Sequence, residues 1–185
     1  MLAKRLWRGF YSGGCIEKCS RFSLWRAEQE NRLKRYWLMK SEPGEVSIDD
    51  LVKQKTIGWY GVRNYQARNF MRDLMQVGDG VLFYHSSCAE PGIAGLAEVS
   101  STSYPDPTQF EAKSHYFDPK ATLEQPRWFQ VDVTALRKTR LVNLAELRAE
   151  PLLAEMLILK KGNRLSITPV SSAEWRVIQK MLGSK

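Results

Sequence analysis

Three short segments of this chain start a helix in the same way. Ser47-Ile48-Asp49-Asp50, Asn143 to Glu146, and Ser171-Ser172-Ala173-Glu174 each set a capping side chain three residues before an acid. In such a capping box the first side chain accepts from the backbone of the third helical residue, and the acid reaches back to the cap. Each box fixes where a helix begins, and little sequence is left for each helix to run. Between the boxes lie short apolar segments. Tyr36–Met39, Ile57–Tyr60, Val81–His85, Ile93–Ser100, Trp128–Thr134 and Arg164–Thr168 read as strands or strand approaches. Five or six short strands mixed with short helices imply an α+β fold around a small, strongly curved sheet or barrel. A parallel α/β sheet would need longer connections between its strands.

The local signals sharpen this outline. Asn64 can cap a helix whose Ala67, Phe70, Met71 and Leu74 fall on one apolar stripe. Val77-Gly78-Asp79-Gly80 is a turn, and Cys88–Gly92 is a loop. The stretch Tyr104–Gln125 is rich in Pro and Asp and reads as an ordered excursion outside the core. Trp128–Thr134 alternates, with Phe129, Val131 and Val133 on one face. Pro151 interrupts the helix begun at Asn143 and opens a second, Leu152–Leu159, stopped by Gly162. Trp175, Ile178 and Leu182 make the buried stripe of a C-terminal helix.

Charge divides the chain in two. Residues 1–35 hold nine Lys/Arg against three acids, so most of the net +8 sits there. Residues 1–34 show no helical or strand period and read as a basic tail, disordered or ahead of the true start at Leu33. An Arg- and Ser-rich organelle transit peptide and a frayed helix over Ser23–Arg35 are the other readings. The folded domain is expected over 35–184, long enough to bury a core without staples. No window approaches the roughly 18 consecutive apolar residues of a membrane-spanning helix. Cys15, Cys19 and Cys88 with His85 and His115 lack zinc-ligand spacing, and their low density fits free thiols in a reducing compartment. Nothing in the sequence calls for a metal or cofactor.

The chemistry concentrates in Tyr36-Trp37-Leu38-Met39-Lys40-Ser41-Glu42-Pro43 and in Trp59-Tyr60-Gly61-Val62-Arg63-Asn64-Tyr65-Gln66-Ala67-Arg68-Asn69. Aromatic rings, amides, hydroxyls and cations stand together at the ends of strands and helices. A site for a flat polar ring needs these groups: faces to stack, an amide to read an edge, cations for nearby phosphates. Asn64 offers a donor and an acceptor to a base edge, or it only caps its helix. Trp59 and Tyr84 offer rings, or they pack into the core. Lys40 and Ser41 end one strand, where Ser41 can donate to a carbonyl oxygen and Lys40 can pair with phosphate; His85 and Ser86 end a neighbouring one and can complete the rim. Arg63, Arg68 and Arg164 are candidate phosphate contacts. Lys160-Lys161 and Arg137-Lys138-Arg140 are basic clusters expected at turns.

On these residues the chain resembles the EVE domain family of the PUA-like superfamily. The matching pieces are Tyr36–Pro43, Trp59 with Gly61–Asn69, Val77-Gly78-Asp79, Phe83-Tyr84-His85-Ser86, Asp118-Pro119-Lys120 and Arg164–Val170, in order over about 36–183. The resemblance implies a PUA-like mixed β-barrel of five to six short strands flanked by short helices, with a pocket on one side. It implies a non-enzymatic module that holds a modified base of DNA or RNA, such as methylated or hydroxymethylated cytosine. Lys40, Ser41, Trp59, Asn64, Tyr65, Tyr84, His85 and Ser86 would form the base pocket. Arg63, Arg68, Lys160, Lys161 and Arg164 would hold phosphates. The alternative is a small hydrolase acting on a modified nucleoside, with Lys40, Ser41 and Glu42 as its reactive groups. Adjacent strand residues point to opposite faces, which is expected to keep those three apart. A monomer without a membrane partner is expected, cytoplasmic in a bacterium, nuclear or mitochondrial in a eukaryote. The sequence names no nuclease or helicase partner.

Overall fold

A computed structural model describes residues 34–183. The expectations for the chain before Lys34 lie outside the described residues. The elements run β1 (Tyr36–Ser41), α1 (Ile48–Gln54), β2 (Thr56–Gly58), α2 (Tyr65–Asn69), β3 (Gly80–His85), β4 (Gly92–Val99), β5 (Tyr104–Pro105), β6 (Phe129–Gln130), β7 (Asp132–Asn143), α3 (Leu144–Ala149), β8 (Ile167–Val170) and α4 (Ser172–Met181). Six strands form one sheet in the order β2-β7-β4-β3-β1-β8, and β5 pairs with β6 apart from it. β1 is parallel to β3, with Leu38 opposite Leu82, and the remaining pairs are antiparallel.

The run of apolar residues in β1 and β3 follows from their position, because both faces of the sheet are covered there. Trp37, Met39, Val81 and Phe83 enter one cluster with Ile48 and Leu51 of α1, Met71 and Ile167. Leu38, Leu82 and Tyr84 enter the other, against Leu147 of α3 and Trp175 and Ile178 of α4. The Val77-Gly78-Asp79 turn is tied into this core, since the Trp37 indole donates to buried Asp79 at 3.0 Å. β4 shifts register against both neighbours, and such bulges bend a sheet. Gly95 of β4 lets α1 sit close, because a Cβ there would come within 2.4 Å of Ile48. β2 at one edge and the residues leading into β8 at the other border one cavity. The sheet therefore rolls into an incomplete barrel.

All three capping boxes form, at Ser47 with Asp50, Asn143 with Glu146 and Ser171 with Glu174. Five local expectations need correction. The helix over 65–74 widens after Asn69 into a π turn, in which Met75 N donates to Phe70 O at 2.8 Å. The extra residue in that turn rotates the stripe, so Met75 is buried and Leu74 is exposed. Leu152–Leu159 is not a helix but two separate 3₁₀ turns, Pro151–Leu153 and Leu157–Leu159. The last strand begins at Ile167 rather than Arg164. The Trp128–Thr134 alternation breaks at Val131, where β6 leaves its small sheet and β7 enters the large one; Phe129 lies outside the core clusters. Arg137, Lys138 and Arg140 stand within the twelve-residue β7, not at a turn.

Candidate functional site

A cavity of about 560 Å³ opens where the two sheet edges approach each other. Lys40 and Ser41 reach it from the end of β1, and Glu42, Glu45 and Val46 from the loop that follows. Ile57 and Gly58 of β2 continue into Trp59, Tyr60, Gly61, Val62 and Arg63. Ser86 and Ser87 come from the end of β3, His115 and Tyr116 from the excursion between β5 and β6, and Arg164 and Ser166 from the approach to β8.

The turn after β2 is clamped to the excursion. Asp106 is buried, and its carboxylate accepts from Gly61 N at 2.9 Å and from Arg63 Nη1 at 2.8 Å. Burial pushes the Asp106 carboxyl up, but hydrogen bonds from Arg63, Thr108 and Gly61 outweigh it and hold the group below its ordinary range. The rest of the Arg63 guanidinium donates to Tyr116 O and to Thr108 Oγ1. Gly61 has φ +79°, and a Cβ there would lie 2.7 Å from the Tyr116 ring, so only glycine lets the excursion close on this turn. Tyr116 then donates its hydroxyl to Glu45 at 2.7 Å, linking the excursion to the loop after β1. Tyr60 meets Tyr116 edge to face with centroids 6.1 Å apart.

Lys40 differs from the other cations here. Its side chain is half-buried, and desolvation lowers its pKa below the ordinary lysine value. Among the described residues it has no ion-pair partner. Ser41 Oγ donates to Val46 O at 2.7 Å, and Ser86 Oγ to Ser41 O at 3.3 Å. These hydroxyls hold the loops and have spent their donors.

The residues singled out in the sequence therefore separate. Lys40, Ser41, Trp59, Ser86, Arg63 and Arg164 meet at the cavity. Trp59 is only 6% exposed, resting edge-on against Phe83, so Tyr60 and Tyr116 present the larger ring surfaces. Asn64 is not at the cavity, because its Oδ1 accepts from Gln66 N and Ala67 N as the cap of α2. Tyr84 points to the opposite face of the sheet, in the cluster with Leu147 and Trp175. His85 Nε2 accepts from Ile48 N at 3.1 Å, anchoring the start of α1, and burial lowers its pKa. Tyr65 stacks on Trp128 at 4.9 Å on the outside of the domain. Arg68 lies over Tyr65 and donates to Asn69 Oδ1 and Arg127 O. The Arg63 guanidinium spends its N–H groups on Val62 O, Asp106, Thr108 and Tyr116 O within the domain. Lys160 pairs with Glu155, while Lys161 and Arg164 are exposed without an ion-pair partner among the described residues.

Lys40, Ser41 and Glu42 all border the cavity. Lys40 and Ser41 are still within β1, in register with Tyr84 and His85, so their side chains leave opposite faces of the strand. Tyr116, Glu45, Ser166 and Asp106 did not stand out in the sequence. The one signal near them was the Asp118-Pro119-Lys120 motif, whose Asp118 accepts from Trp128 Nε1 at 2.7 Å and fixes the excursion. Among the described residues no group of three or more His, Cys, Asp or Glu is placed to hold a metal ion. No described helix is long and apolar enough to cross a membrane.

A family model described as the EVE domain matches residues 35–181. Human thymocyte nuclear protein 1 is 42% identical over 164 residues, which span 77% of this chain and 72% of that protein. A protein from Leishmania major of solved structure superposes with a TM-score of 0.77 at 51% identity, covering 80% of this chain and 94% of that one. The human THYN1 protein in complex with 5-methylcytosine containing DNA superposes with a TM-score of 0.75 at 40% identity, covering 82% of this chain and 99% of that one.

Proposed function

The chain belongs to the EVE domain family, and from that premise we propose that it is a non-enzymatic module that binds DNA carrying a modified cytosine. The base, taken out of its stack, enters the cavity between β1 and the turn after β2. The observation that carries this reading is the cavity itself. It is a polar hollow of about 560 Å³ bordered by Trp59, Tyr60 and Tyr116 with apolar Val46, Ile57 and Val62. That combination takes a flat ring with one apolar substituent, and its volume falls in the usual range for small-ligand sites. The human relative solved with 5-methylcytosine containing DNA supports DNA as the polymer. Arg164 and Lys161 are the exposed cations available for flanking phosphates. A DNA ligand places the protein's work in a DNA-containing compartment, in keeping with the word nuclear in the human relative's name.

Base extrusion can be tested with 2-aminopurine placed beside a 5-methylcytosine in a duplex. Unstacking raises its fluorescence, and it should rise on binding the modified duplex and stay low with the unmodified one. Equal responses would contradict the reading.

A second reading, hydrolysis of a modified nucleoside, has one observation in its favour: a half-buried lysine with a lowered pKa beside Ser41. Ser41 weakens it, since its hydroxyl donates to the Val46 carbonyl at 2.7 Å. Turnover of acylated nucleosides, lost in Lys40→Ala, would favour hydrolysis.

A further inference from the structure

A second cluster of rings and guanidinium groups stands outside the cavity, on α2 and the end of the excursion. Tyr65 stacks on Trp128, and Arg68 lies over the Tyr65 ring at 4.7 Å. Arg63, Arg72 and Arg127 around them each pair with a carboxylate, Asp106, Asp73 and Asp118 in turn. Among the described residues no carboxylate lies within ion-pair distance of Arg68. Neutral acceptors hold it instead, Asn69 Oδ1 at 3.0 and 2.7 Å and Arg127 O at 2.9 Å. Those bonds leave two of the guanidinium's five N–H groups unused. Burial lowers the Arg68 pKa, and the neighbouring Arg72 and Arg127 charges lower it further. The hydroxyl of half-exposed Tyr65 accepts from Arg127 Nη2 and donates to nothing among the described residues. A fixed positive charge without a counter-charge, beside a free hydroxyl donor, is completed by an anion.

The cluster adjoins the cavity. The Arg63 guanidinium lies 5.3 Å from the centre of the Tyr116 ring, which borders the cavity, and 5.4 Å from that of Trp128, on which Tyr65 stacks. Arg164 stands at the β8 border of the cavity, and α2 follows the turn at the β2 border. A strand that crosses the mouth therefore meets a cation on each side. Resting on the base-binding reading above, we propose that Arg68 and the Tyr65 hydroxyl form a phosphate subsite for the DNA strand whose extruded base occupies the cavity. They hold one backbone phosphate flanking that base. A phosphate carries no sequence information, so the subsite adds affinity and positions the strand, and the choice of base stays with the cavity.

The test uses the full chain and its Arg68→Gln, Arg68→Lys and Tyr65→Phe variants. Each is titrated with DNA carrying one 5-methylcytosine, in which each nearby phosphate is replaced in turn by a neutral methylphosphonate. Wild type should lose about tenfold in affinity at one particular phosphate, the size of one charge-assisted contact. Arg68→Gln should bind the natural backbone about tenfold more weakly and show no further loss at that phosphate. Arg68→Lys keeps the charge and should recover part of the affinity. Tyr65→Phe keeps the stacked ring and should show a reduced loss at the same phosphate. The ratio of affinities for 5-methylcytosine and cytosine should be the same in all four proteins. Thermal melting checks that each variant is folded, and Tyr65→Phe carries the test if Arg68→Gln is not. Methylphosphonate losses equal to those of wild type at every position, or variants that bind the natural backbone as wild type does, would overturn the inference while leaving the base-binding reading in place. A wild type without preference for 5-methylcytosine would overturn that reading, and this inference with it.

Discussion

Tyr116 donates its hydroxyl hydrogen to the Glu45 carboxylate at 2.7 Å, joining two loops that lie 71 residues apart in sequence and border the same cavity. Burial first, and then Glu45, push the Tyr116 hydroxyl up to about 12. The phenol therefore stays a donor at any physiological pH. The excursion that sequence places outside the core is thus one wall of the site.

Tyr116→Phe removes this bond and should cost about 1 kcal/mol at neutral pH, the usual net value of a hydrogen bond. Because the folded-state pKa is raised, the bond's contribution is whole below the ordinary value of 10.0 and is lost as pH rises through about 12. Urea denaturation of both proteins at neutral and strongly alkaline pH should show the difference shrinking only in the alkaline range.

Arg63→Ala should destabilise the domain by about 3 kcal/mol, since it strands the buried Asp106 carboxylate. Asp106 has a folded-state pKa below its ordinary 3.8, so its contribution is present above that value and is lost as pH falls through the lower folded one. Were Arg63 a phosphate contact, the variant would keep wild-type stability and bind every oligonucleotide more weakly. Chemical denaturation beside a binding titration separates the two cases.

Asn64→Ala should lower stability by about 1 kcal/mol, the usual cost of losing a helix cap. Asn64→Ser or Asn64→Asp should restore most of it. None of these should alter the preference among bases, because the Asn64 side chain serves the backbone of α2. A variant that melts like wild type but no longer distinguishes modified cytosine would return Asn64 to the site.

Arg164→Ala should weaken binding to modified and unmodified oligonucleotides by the same factor. The slope of log affinity against log salt should become shallower by about one unit, as expected for one lost phosphate contact. A change of base preference without a change of slope would place Arg164 on the base.

The parts of the fold written locally were legible in the sequence. Ser47, Asn143 and Ser171 announce helix starts because a cap and its acid are neighbours in sequence. Tyr36–Met39 and Val81–His85 were likewise legible as strands, but not their cover on both faces: alternation gives only one of Trp37 and Leu38 to a core, and both are buried, in different clusters. β7 past Thr134 was not legible. Its residues Arg137, Lys138 and Arg140 are polar, and two register shifts against β4 break the alternation that would betray a strand. The π turn was hidden for a similar reason, since one inserted residue moves Met75 into the place a regular helix gives Leu74. At the site, strand ends pointed to Lys40, Ser41 and Ser86. Tyr84 and His85 were drawn in by sequence adjacency, but one faces the other cluster and the other anchors α1. Tyr116 was missed because an excursion held by Asp106, Gln109 and Asp118 has no period to read.

Recognition of the modified base is read out by the affinity of the full chain for matched oligonucleotides bearing 5-methylcytosine or cytosine, measured over a salt series. Binding to both should weaken as salt rises, with a preference for the modified base that persists at the highest salt. Equal affinities that collapse together with salt would mean that only the basic surface binds, and would contradict that recognition.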